Sequence, residues 1–183
     1  MTWGGGFARP LVIALAALTA AEARADPIPA ALRGKSIDLS YTVAVTTKSL
    51  GGPDQGQTWA GQPTYSFKLY LSLQGRIFSS YQGDAPTTRN QVSGTGETGM
   101  QWRFEDGAVV GYQALVRGAR RVAVGFSDQF RSCSVAVIYA KEVGTGAMVT
   151  QGWHGGWEHE ILDVKVLSTR CSVQQGNIFA NPQ

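Results

Sequence analysis

Helical periodicity is missing from this sequence: no apolar stripe at 3.6-residue spacing runs beyond two turns. Charge is thin as well, at 16% of residues against the usual ~25%. Low charge beside 23 glycines suits strands joined by turns and argues against a helical bundle. Only two cysteines are present, Cys133 and Cys171, and they lie too far apart for a close-spaced redox or metal-binding pair. Histidine also occurs only twice, at His154 and His159, within a single segment. No G-x-S-x-G elbow is present, so the serine-hydrolase pattern has no support. The net charge of +3 is too small to make nucleic acid or an acidic membrane surface an expected partner.

Long apolar runs are limited to one. Leu11 to Ala20 is broken only by Thr19, follows a short stretch carrying Arg9, and precedes Ala21-Glu22-Ala23-Arg24-Ala25. A basic start, an apolar middle and an A-x-A end make a secretory signal, with cleavage expected after Ala25. A retained membrane anchor needs about 20 apolar residues, twice this run. Residues 1–25 are therefore expected to be a signal peptide and 26–183 a single β-rich domain in the periplasm or outside the cell. After cleavage no membrane attachment is expected. In such an oxidising compartment Cys133 and Cys171 should form a disulfide.

Period-two alternation supplies the elements. Ile37, Leu39, Tyr41, Val43 and Val45 alternate with polar or small residues, as do Tyr65, Phe67, Leu69, Leu71 and Leu73. Gln74-Gly75 predicts a tight turn into a return strand over 76–82, and Asp106-Gly107 a hairpin between strands starting at Met100 and Ala108. Further strands are expected over 121–126, 132–140 and 158–167, and a weak one over 90–93. In the last long strand Leu162, Val164 and Val166 should form the apolar face, with a bulge near Ser168-Thr169 bringing Cys171 and Val173 back to it. Lys48 to Pro63 and Val143 to Gly156 read as loops. The fold expected is all-β, with about eight antiparallel strands, an up-and-down barrel favoured over a two-layer sandwich. A barrel of this size is similar to the lipocalins in general architecture only, because Ser36 to Thr47 lacks that family's G-x-W motif.

Candidate chemistry centres on Trp153, His154, Trp157, Glu158 and His159, in a segment holding both histidines, two of the five tryptophans and two carboxylates. Imidazole and carboxylate can bind a metal, and indole rings stack on flat ligands. The spacing resembles an H-x-x-E-H protease motif, but it is one residue too long and its glycines forbid the helix that motif needs. The alternative is a glycine-rich hairpin end whose aromatics cover the core. Gly94-Thr95-Gly96-Glu97-Thr98-Gly99 spells G-x-G-x-x-G, yet a strand follows it, so no dinucleotide or other cofactor is implied. Arg117, Arg120 and Arg121 cluster near a turn, where they could grip an anion or simply be solvated.

Non-catalytic binding of a small or envelope-associated ligand is the function expected, in a mouth rimmed by Trp59, Trp102, Trp153 and Trp157. No catalytic or metal-ligating residue is assigned. The alternatives are an eight-stranded outer-membrane barrel, a structural or interaction protein of the envelope, and an envelope-polymer hydrolase or metal-dependent enzyme.

Overall fold

Ile37, Leu39, Tyr41, Val43 and Val45 all point to one side of β1 (Lys35–Ser49), and all are buried. The computed structural model describes residues 26–82, 91–92, 100–151 and 156–179; the expected leader, residues 1–25, lies outside them. A single 3-10 turn, Ala30–Leu32, precedes β1 and buries Leu32. On one side of β1 lie β2 (Thr58–Gly61) and β3 (Thr64–Leu71), end to end and separated by Gln62-Pro63. Beyond them come β4 (Ile77–Gln82) and the two-residue β5 (Gln91–Val92). On the other side lies β11 (Glu158–Gln175), flanked at its start by β10 (Val149–Gln151). The second sheet runs in chain order: β6 (Gln101–Glu105), β7 (Ala108–Ala114), β8 (Ala119–Ser127) and β9 (Ser132–Ala140).

Every ladder is antiparallel, and the two sheets enclose one core. The expected hairpins form at Gln74-Gly75 and Asp106-Gly107. Both Asp106 and Gly107 have positive φ, as a two-residue link that follows strand twist requires. Phe67 of the first sheet meets Trp102 of the second edge to face at 5.4 Å, and Tyr41 stacks on Tyr65 at 5.1 Å. Gly111 makes room for this: a side chain there would strike Met100 and the Trp102 ring.

The favoured barrel does not form. Among the described residues the eleven strands make two antiparallel sheets, and neither closes on itself. Turn chemistry orders neighbours along the chain, and it does so here. Closure depends instead on hydrogen bonds between edges remote in sequence, and no ladder joins β9 to β11. The Cys133–Cys171 disulfide bridges that seam, with its Cα atoms 5.6 Å apart. Polarity also runs opposite to that of an outer-membrane barrel, which is apolar outside. Here the apolar side chains fill the space between the sheets.

Two strands emerge inside expected loops: β2, fully exposed, and β10, only three residues long. Neither is long enough to show a period. In β11 the inward residues are His159 and Ile161, both buried, followed by Val164 and Val166, which pack against the core as expected; Leu162, expected on that face, is instead 47% exposed. Register shifts opposite Thr46/Thr47 and Thr42/Val43 leave Leu162 and Leu167 as the extra residues. The second is a bulge one residue before the expected place, and it returns Cys171 and Val173 to the inward face opposite Leu39 and Ile37.

Candidate functional site

The inward positions of β8 are Arg120, Val122 and Val124, so strand parity carries a guanidinium into the interior. Arg120 is only 5% exposed. Its ladder partners are Gln113 on β7 and Tyr139 on β9. A terminal N–H donates to Gln113 Oε1, and a second hydrogen bond reaches Tyr139. Across the gap the guanidinium carbon lies 4.5 Å from the centre of the Tyr65 ring, on the other sheet. The Nε–H has no acceptor among the described residues. No carboxylate faces it either: the ion pairs among those residues join Glu105 to Arg103 and Arg121. Burial works to lower its pKa, but in the alkaline range where arginine titrates the phenolate charges of Tyr41, Tyr139 and Tyr65 outweigh that and raise it; at neutral pH those phenols are uncharged. The group stays a cation.

Arg120 lines a cavity of about 160 Å³ between the sheets. Val43 and Val45 of β1, Leu115 and Ile161 supply apolar wall; Tyr65, Gln113 and Thr150 add polar atoms. One edge of this end is tied by backbone hydrogen bonds in both directions between Arg117 and Val149, at 3.2 and 2.9 Å. Gly118, at φ +84°, makes the turn that permits the tie. This combination, a recess with one hydrocarbon wall and several convergent polar groups, is compatible with a small-ligand site.

The described part of the segment singled out in the sequence, Trp157 to His159, lies beside this recess. Trp153 and His154 fall outside the described residues, as does Gly94 to Gly99. Trp157 is 48% exposed and lies over Gly51-Gly52, where a side chain on Gly52 would strike its indole. Glu158 is exposed and pairs with Gln151. His159 is buried, its Nδ1–H donating to the Trp157 carbonyl oxygen at 2.8 Å, and it pairs with Thr150. Thus Gln151 and Thr150, the strand partners of Glu158 and His159, line the cavity, while those two residues do not. Among the described residues no three His, Cys, Asp or Glu side chains are grouped to hold a metal ion.

The expected aromatic mouth changes in detail, because Trp102 is a core residue and Trp59 sits on exposed β2. The arginine cluster divides too. Arg117 is exposed, Arg121 turns outward to Glu105 at 3.0 Å, and only Arg120 points in. Sequence reasoning missed Arg120 as an interior group, although it shares parity with Val122, Val124 and Phe126. The sequence matches no protein-family model, no curated protein and no solved structure.

Proposed function

We propose that this chain is exported, is cleaved after Ala25, and works in the periplasm or outside the cell as a non-catalytic binding domain for a small ligand. The observation that carries the reading is the recess of about 160 Å³ between the sheets, walled by Val43, Val45, Leu115 and Ile161 and edged by Gln113 and Thr150. Protein interiors are normally packed with few voids larger than a water molecule, and an open recess of this size, with apolar and polar wall in about equal share, is suited to binding a small ligand. The leader pattern and the disulfide support an oxidising destination.

Native mass spectrometry of the full chain expressed with its leader tests both parts. The expected result is a polypeptide beginning at Asp26 that carries a reproducible bound mass, with the added mass lost in Val45→Phe, which fills the recess. A bare polypeptide in both forms, with no rise in melting temperature from benzoate or benzamide at millimolar concentration, would refute the binding role. Retention of residues 1–25 would refute the export role.

A further inference from the structure

We infer that the recess takes a small, largely apolar monoanion, an aromatic-sized carboxylate, with Arg120 as its counter-ion. The inference rests on reading the recess as a ligand site. Its first support is an imbalance of charge. A buried guanidinium needs a negative partner to offset the loss of hydration, and the side chains around Arg120 offer only amide and phenol groups. Arg121, one residue on, has its carboxylate in Glu105; Arg120 has none among the described residues.

The second support is a donor without an acceptor. Arg120 is 95% removed from solvent, lines the recess, and keeps an Nε–H with nothing among the described residues to receive it. Guanidinium groups meet carboxylates through paired parallel N–H donors, and Arg120 keeps one such donor uncommitted, although protein atoms cover its Nε and the side chain must turn to present it. Desolvation makes such a pair stronger than it would be at the surface.

Size and wall chemistry set the rest of the ligand. A volume of about 160 Å³ is close to that of an apolar cavity able to admit one benzene ring. Val43, Val45, Leu115 and Ile161 present hydrocarbon, and Tyr65 offers a ring already beneath the guanidinium. Arg120 is the single cation among the described lining residues, which matches one negative charge.

Calorimetric titration of the mature protein at pH 7, in a buffer free of carboxylate and phosphate, distinguishes the elements of this proposal. The probes are benzoate, its neutral isostere benzamide, and inorganic phosphate. Benzoate should bind at least about tenfold more tightly than benzamide, as a charge-assisted pair allows. That preference should vanish in Arg120→Met and survive in part in Arg120→Lys. Equal affinity for benzoate and benzamide in the unaltered protein overturns the charge pairing, while loss of both in Val45→Phe would still uphold the recess as a site. Phosphate binding as tightly as benzoate overturns the apolar body of the ligand. Binding of none of the three overturns the inference, and the binding role falls with it only if native mass spectrometry also shows no added mass.

Discussion

The guanidinium of Arg120 and the ring of Tyr65 face one another across the gap between the two sheets, 4.5 Å from carbon to ring centre. Tyr65 in turn stacks on Tyr41, and Tyr41 on Phe67, which meets Trp102 of the opposite sheet. A line of rings therefore crosses the core from its packed middle to a cation at its open end. The cation–ring contact contributes about 0.5–2 kcal/mol, which offsets only part of the cost of burying the charge.

Replacing that cation should consequently not harm the fold. Arg120→Met keeps a flexible unbranched stem, though a shorter one, removes an unanswered Nε–H and ends the burial of a charge, against the loss of two hydrogen bonds and the ring contact. Urea unfolding at pH 7 should place the variant between unchanged and about 2 kcal/mol more stable. A loss above about 2 kcal/mol would mean that Arg120 is a structural tie and that the fold itself answers its charge.

The disulfide should matter most along the seam it spans. Cys133 and Cys171 are 38 positions apart, and the chain-entropy model gives the bond roughly 3–4 kcal/mol. Cys133→Ala/Cys171→Ala should lower the unfolding free energy obtained from urea titration by that amount. Because no ladder ties β9 to β11, hydrogen exchange should quicken first in Ser132–Ala140. Uniform quickening over both sheets would show that the bond acts on the unfolded chain alone.

The residues themselves explain what could be read in advance. Period two in Ile37 to Val45 and in Tyr65 to Leu71 is written in local order, so the strands and their inward faces were legible. So was the link between Cys133 and Cys171, from the count of two and the expectation of an oxidising compartment. Whether β9 and β11 close a barrel depends on pairing between remote edges, and nothing local in Ser132 to Ala140 encodes it. The site followed the same division. Sequence chemistry drew the eye to His159 and Glu158, while the recess is lined by their partners Thr150 and Gln151, a placement only register reveals. Arg120 was hidden because charge at a turn reads as solvated; its parity with Val122 was the available signal.

Gly118 separates backbone strain from collision. Its φ is +84°, and a Cβ there would overlap the Ala140 carbonyl oxygen. Gly56 has φ +86° with open space around it. Gly56→Ala should therefore cost about 1–2 kcal/mol, the price of the left-handed conformation alone. Gly118→Ala should cost at least about 1 kcal/mol more, because it also pushes β8 from β9 and loosens the Arg117–Val149 tie. Equal losses in the two variants would show that the Ala140 carbonyl yields freely.

Glu105 gives the fold a small and signed dependence on acid. Burial works to raise its pKa, but the hydrogen bonds and charges of Arg103 and Arg121 outweigh that and lower it. A carboxyl with a lower pKa in the folded chain than in the unfolded one stabilises the fold above the unfolded value of about 4.3, and that stability is lost as pH falls through the folded value. Both arginine side chains are well exposed, at 40% and 44%, so solvent screening holds the contribution to about 0.2–1 kcal/mol. Glu105→Gln should thus be less stable than the unaltered protein by that amount at pH 6, and the two should converge by about pH 2.5. Raising the salt from 0.05 to 0.5 M at pH 6 should narrow the same gap. A difference that persists unchanged at pH 2.5 would assign the loss to packing of the side chain, and the charges of Arg103 and Arg121 would then have no part in it.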